Sequence, residues 1–202
     1  MNDELKITIL KQSNDKEILE VFTNAFLDNP NLPIICDNPE FTRDIIKNLM
    51  TLYGGINNTL RHGLIYNDKL VCASFSVSTT INPLLLLIRS FLLLTSARDF
   101  KGVGFRCLKE YFITRLKMPR YKDHCLELLL FGTLPGYQKK GYGEKMIRFL
   151  YKEAEKRKYQ GIVGFTRPDK PAFLKLYRRH GWLIDKKFNI GDIKFAWIRI
   201  KI

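Results

Sequence analysis

The chain has 202 residues, 46% of them hydrophobic and 27% charged, which fits one globular domain with room for a sizeable core. Its net charge of +14 is unevenly placed: residues 135–202 hold 18 Lys and Arg against 6 Asp and Glu, a net +12, leaving +2 for residues 1–134. No secretory signal pattern opens the sequence, and the apolar run Leu84 to Leu94, broken by Arg89 and Ser90, is too short to span a bilayer, so a soluble cytoplasmic protein is expected.

In chain order, Leu5 to Leu10 reads as an opening strand. Asn14 is placed to cap a helix whose apolar stripe includes Ile18, Val21, Phe22 and Ala25. Pro30, Pro33 and Pro39 punctuate a loop, and a second helix carries Phe41, Ile45, Ile46, Leu49 and Leu52 before Gly54-Gly55 ends it. Leu64 to Tyr66, the turn Asn67-Asp68 and Leu70 to Val77 form a hairpin. About forty residues, 81–122, follow with a Leu-rich stretch and a second helical pattern through Phe105, Leu108, Phe112 and Leu116. This segment reads as one or two inserted helices, because loops of that length are rarely structureless inside a domain. Cys36, Cys72, Cys107 and Cys125 stand apart, with no C-x-x-C pair or metal-ligand spacing, so reduced thiols and no metal are expected.

The C-terminal half carries the most informative stretch. Leu126 to Phe131 is a short apolar run, the mark of a buried strand, and Met146, Ile147, Leu150, Tyr151 and Ala154 recur at helical spacing. Between them lies Pro135-Gly136-Tyr137-Gln138-Lys139-Lys140-Gly141-Tyr142-Gly143. A glycine-rich strand-to-helix turn offers free backbone N–H groups and the positive end of a helix dipole, which together form an anion site. The Walker pattern is absent, because Gly143 is followed by Glu144 and Lys145 rather than Lys and Ser or Thr. The dinucleotide pattern is absent too, because its third glycine is missing.

The remaining form, Gln138-x-x-Gly141-x-Gly143 after a strand that ends in Pro, resembles the acetyl-CoA loop of the GCN5-related N-acetyltransferase (GNAT) family. The likeness continues through a helix from Gly141 to about Tyr159, a strand Ile162 to Thr166 and the element Leu176-Tyr177-Arg178-Arg179-His180-Gly181-Trp182. It implies an α/β fold: a single acyl-CoA N-acyltransferase domain over residues 1–202, with a mixed, mostly antiparallel central sheet flanked by helices. The helical insertion at about 81–122 would precede the cofactor-binding strand.

The resemblance also implies roles. The backbone of Gly132, Thr133 and Leu134 would pair with the pantetheine arm of acetyl-CoA. The N–H groups of Gln138, Lys139, Lys140, Gly141, Tyr142 and Gly143 would hold its pyrophosphate, with Lys139 and Lys140 adding charge. Tyr177 stands where relatives place the proton donor to the leaving thiolate. The asparagine commonly found seven residues before that tyrosine is Lys170 here, which leaves Lys170 or Lys175 to meet phosphates. Glu127, an acid inside an apolar strand, is the first candidate for the general base, and strand-end ion pairing is its ordinary alternative. A bulge in this strand would reverse the facing of the residues beyond it. His124 resembles the histidine that begins this strand in a subgroup of the family, and Asp123, Tyr121 and Tyr111 are weaker candidates.

The implied activity is transfer of an acetyl group from acetyl-CoA to a primary amine of a small molecule or peptide by direct attack. The alternative is a catalytically lapsed CoA-binding sensor or scaffold. Antibiotic, polyamine, amino-acid and protein N-terminal acceptors all remain open. No helix-turn-helix, RNP or zinc-finger pattern accompanies the basic C-terminal third, so no nucleic-acid partner and no membrane are expected. A monomer or homodimer is expected.

Overall fold

The structure is a computed structural model, and it describes residues 4–28, 39–55, 59–80, 119, 124–169, 171–190 and 193–202. Strands β1 (Leu5–Ile9), β2 (Leu60–Tyr66), β3 (Lys69–Ser78), β4 (Cys125–Thr133), β5 (Gly161–Thr166), β6 (Leu183–Ile190) and β7 (Ile193–Lys201) form one sheet in the order β1-β2-β3-β4-β5-β7-β6. Every neighbouring pair is antiparallel except β4 and β5. A parallel pair needs a long crossover; here it contains helix α3 (Tyr142–Lys156). Among the described residues the other helices are α1 (Asp15–Asp28), α2 (Pro39–Gly54) and α4 (Pro171–Arg179). The expected insertion at 81–122, together with Pro30, Pro33, Cys36 and Cys107, lies outside the described residues except for Pro119.

The helices divide between the two faces of the sheet. From α1, Ile18, Val21, Phe22 and Phe26 are buried with Ile46 and Tyr53 of α2 against Phe75, Val77 and Leu130. On the opposite face, Met146, Ile147 and Leu150 of α3 and Tyr177 of α4 are buried against Leu126, Leu128, Ile162 and Ile198. The periodicity of each helix thus translates into one buried stripe. The hairpin turn is as the sequence predicts, with Asn67 (φ 46°) and Asp68 (φ 60°) both left-handed, the conformation of a two-residue type I′ connection. Asn14 differs from expectation. It immediately precedes α1, but its side-chain oxygen accepts the N–H of Lys11 at 3.1 Å, closing a preceding 3-10 turn instead of capping the helix.

Beneath α3 the sheet carries a buried histidine. His62 is fully buried, its Nδ1 is 3.3 Å from Ser74 Oγ, its Nε2 has no partner among the described residues, and its ring meets the edge of Phe149 at 5.4 Å. Burial lowers its pKa from 6.5 to about 4; Glu153 opposes the shift and Arg157 adds to it. The unfolded chain therefore binds a proton between pH 6.5 and 4 that the folded chain refuses. Stability is expected to fall by about 3 kcal/mol across that window through this group. Urea unfolding at neutral pH and near pH 4 checks this: His62→Gln should flatten the difference between the two midpoints.

Candidate functional site

The site begins where two strands part. β4 and β5 pair in parallel only from Cys125↔Gly161 to Leu128↔Gly164, yet β4 runs on to Thr133 and β5 to Thr166. The cause is visible on the other side of β4. Phe75 pairs with Leu130 but Ser76 pairs with Leu128, so Leu129 is an extra residue in the ladder, a β-bulge. The bulge bends β4 away from β5 and reverses its facing. Leu126 and Leu128 point into the α3 layer, whereas Leu130 points into the α1–α2 layer.

The bulge also decides where backbone groups point. Leu134 donates its N–H to Val71 O at 2.9 Å, and residues of an antiparallel ladder turn their polar groups alternately to either side. Phe131 and Thr133 therefore turn theirs toward the gap. The Thr133 carbonyl accepts Gln138 Nε2 at 3.2 Å, which ties the following loop to the strand end. The gap itself is an open cleft of about 370 Å³, mouth included. Apolar and aromatic side chains line it, among them Leu128, Leu129 and Phe131 of β4, Phe165 of β5, Phe26 of α1 and Tyr177 of α4, yet more of its surface is polar than apolar.

Directly after β4, Pro135–Tyr137 makes a 3-10 turn and the chain swings into α3. Tyr137 and Gln138 spend their N–H groups on Leu134 O and Pro135 O. Lys139 (φ 60°) and Gly141 (φ 82°) are left-handed, and Gly141 stands at the N-cap of α3 with no side chain capping it. The first-turn N–H groups of a helix have no intrahelical acceptor, and among the described residues nothing in the protein caps those of Tyr142, Gly143 and Glu144. This is an anion cradle made by backbone alone. A Cβ added at Gly143 would lie 3.6 Å from the Phe131 ring and 3.7 Å from Thr133 Oγ1, so the helix start overlooks the strand end. Lys139 and Lys140 are exposed, and Lys140 Nζ sits 5.3 Å over the Tyr137 ring. The half-buried Tyr142 packs on Tyr66 and Tyr137.

The Tyr-x-x-x-Gly-Trp element is a Schellman motif. Trp182 N–H bonds Tyr177 O at 3.1 Å, Gly181 N–H bonds Arg178 O at 3.1 Å, and Gly181 takes φ 78°. The hydrophobic contact of the motif is Tyr177 against Trp182, with ring centroids 5.0 Å apart. Trp182 Nε1 then donates to Tyr151 OH at 2.5 Å, and Tyr151 OH donates to His180 O at 3.2 Å, fixing α4 against α3. A local backbone rule thus aims Tyr177 into the cleft. Burial pushes its phenol well above the ordinary value of 10, with Tyr151 adding to the shift, so it is a protonated group at neutral pH. Gly181→Ala is expected to cost about 1 kcal/mol in urea unfolding from the left-handed φ. An added Cβ there meets only Ile200 Cδ1 at an ordinary 3.7 Å, so sterics add little.

Glu127 is 3% exposed and pairs along the sheet with Val77 and Val163. Its alternation with Leu126 and Leu128 puts it on the α1–α2 face, one residue before the cleft begins. The structure does not bring His124 to the site. It is exposed at the opposite end of β4, its ring 4.5 Å from that of Tyr159. Lys170, Asp123, Tyr121 and Tyr111 lie outside the described residues.

Phe26 and Phe165 were not singled out by sequence. Phe26 continues the Phe22 stripe of α1, a pattern that marks burial but not what the ring touches. Thr166, fully buried, has a hydroxyl without a partner among the described residues, two residues beyond the end of the β4–β5 ladder. The free edge of β4 beyond Leu128 and the uncapped helix suit a ligand with an extended amide arm and a diphosphate. Among the described residues no group of His, Cys, Asp and Glu is placed to hold a metal, and no helix is long and apolar enough to cross a membrane.

Residues 98–182 match the model of the acetyltransferase (GNAT) family. No curated protein matches the sequence. Among solved structures, the chain is similar to the ribosomal-protein-S18-alanine N-acetyltransferase of Escherichia coli, with a TM-score of 0.60 at 14% identity over 98% of this chain and 94% of that one. It is similar to a Bacillus subtilis acetyltransferase in complex with CoA, with a TM-score of 0.55 at 13% identity over 98% and 99%. The Drosophila melanogaster polyamine N-acetyltransferase gives a TM-score of 0.61 at 10% identity over 98% and 100%.

Proposed function

We propose that the chain, whose residues 98–182 match the GNAT acetyltransferase family, transfers the acetyl group of acetyl-CoA to a primary amine. The observation that carries this reading is the early end of the β4–β5 ladder beside an uncapped helix. The pantetheine arm would run along the free edge of β4 like an added strand, using Phe131 and Thr133. Pro135, which has no N–H, stops that ladder. The N–H groups of Tyr142, Gly143 and Glu144 would receive the pyrophosphate, with Lys139 and Lys140 adding positive potential. Bound acetyl-CoA supplies an acyl thioester, already activated toward attack by nitrogen.

The residues then divide the remaining work. Glu127, on the α1–α2 face, takes the proton of the incoming ammonium, directly or through water, so that the amine can attack. The C–N bond forms at the thioester carbonyl, and an unpaired N–H on β4 past Leu128 steadies the oxyanion. The C–S bond breaks as Tyr177 gives its phenolic proton to the departing thiolate, and the proton that the nitrogen sheds on becoming an amide restores the phenol. The cleft between β4 and β5 holds the reactants in place. The E. coli and Drosophila neighbours are named for a protein alanine and for polyamines, and both support an amine acceptor.

The test is thiol release from acetyl-CoA against a panel of polyamines, amino acids, aminoglycosides and peptides with free N-termini. Amine-dependent release with an acetylated product is expected. Binding of acetyl-CoA without turnover on any amine would contradict the enzymatic reading.

A further inference from the structure

We propose that Phe26 sets the length of the acyl group that the cleft accepts, an inference that rests on reading the gap between β4 and β5 as the thioester site. The cleft is lined from both faces of the sheet. Leu128, Tyr177 and Ile198 belong to the layer under α3 and α4, whereas Phe26 belongs to the layer under α1 and α2. A group that enters past Gly143 and Phe131, on the α3 side, therefore meets Phe26 at the far end of the gap.

Two features make that ring a fixed wall. Phe26 lies four residues after Phe22 on one helix face, with the two rings 6.2 Å apart, and it is 6% exposed. That face is pressed onto β4: a Cβ at Gly132 would come within 2.8 Å of Ala25 Cβ, so α1 has no slack through which to retreat. The other aromatic walls are engaged elsewhere. Phe165 packs on Phe195 and Trp197 at 6.3 and 5.6 Å, and Phe131 lies on the entry side. Among the described residues no charged side chain lines the cleft, so an apolar acyl chain is sorted there by its length. A two-carbon acyl group ends short of the ring, while each further methylene must take space the ring occupies.

The experiment compares binding of CoA, acetyl-CoA and butyryl-CoA to the wild type, Phe26→Leu, Phe26→Ala and Phe26→Trp by calorimetry. The wild type should prefer acetyl-CoA to butyryl-CoA. Phe26→Ala should shrink that preference by about tenfold or more, with Phe26→Leu in between. Phe26→Trp should weaken acetyl-CoA binding while leaving free CoA binding unchanged. If Phe26→Leu and Phe26→Ala bind CoA with an unaltered acetyl-to-butyryl ratio, Phe26 has no such role and the site reading stands. If the wild type binds none of the three, the site reading fails and takes this inference with it.

Discussion

Gly141→Glu is expected to weaken acetyl-CoA binding by about 100-fold or more, a loss of about 3 kcal/mol. The substitution places a carboxylate at the N-cap of α3, where Tyr142, Gly143 and Glu144 present their N–H groups. Like charge against a pyrophosphate costs several kcal/mol in a partly desolvated site. The fold should survive. A Cβ at Gly141 meets no atom within 4 Å, and the remaining penalty is the φ of 82°, about 1 kcal/mol. Gly141→Ala carries the same backbone penalty without the charge, so it should keep most of the affinity. Calorimetric titration of both variants separates the two effects. Equal affinities for Gly141→Glu and wild type would remove the loop from its assigned role.

The second large effect concerns the chemical step. Tyr177→Phe is expected to lower kcat about 100-fold or more while leaving the affinity for acetyl-CoA nearly unchanged. Phenylalanine keeps the ring contact with Trp182 that closes the Schellman motif, so α4 should hold its place. What would disappear, on the proposed mechanism, is the proton for the thiolate. Burial keeps the Tyr177 phenol protonated above its ordinary pKa of 10, so the wild-type rate should show no falling limb from this group between about pH 6 and 10. Normal turnover by Tyr177→Phe would leave Tyr177 as packing alone.

The parts of this site that were legible in the sequence obey local rules. Gly181 and Trp182 mark a helix end because a left-handed residue and a returning aromatic are needed within five positions of Tyr177. Gly141 and Gly143 mark a strand-to-helix turn for the same kind of reason. The hairpin at Asn67-Asp68 is read from two residues alone. What was illegible depends on register between distant strands. The family resemblance suggests a bulge in β4 but cannot place it at Leu129, because the extra residue is defined only against Phe75 and Ser76. The face taken by Glu127 and the end of the pairing at Gly164 follow from that register. Leu134 looked like a pairing partner for ligand, yet its N–H is spent on Val71, again a fact about β3. Phe26 was hidden because its role arises where α1, β4 and β5 converge. The charge excess of residues 135–202 also gains a location: Lys145, Arg148 and Lys152 of α3 and Arg178 and Arg179 of α4 are exposed on the side of the sheet that carries the cradle. Positive potential there would speed capture of a polyanionic coenzyme.

Amide hydrogen exchange with and without acetyl-CoA tests the central claim most directly, because it reports binding and its place together. The account predicts slowed exchange at Phe131 and Thr133 and at Tyr142 to Glu144, with little change at His124 or on the edge strands β1 and β6. Binding that leaves those amides exchanging as before, or no change anywhere at saturating acetyl-CoA, would contradict it.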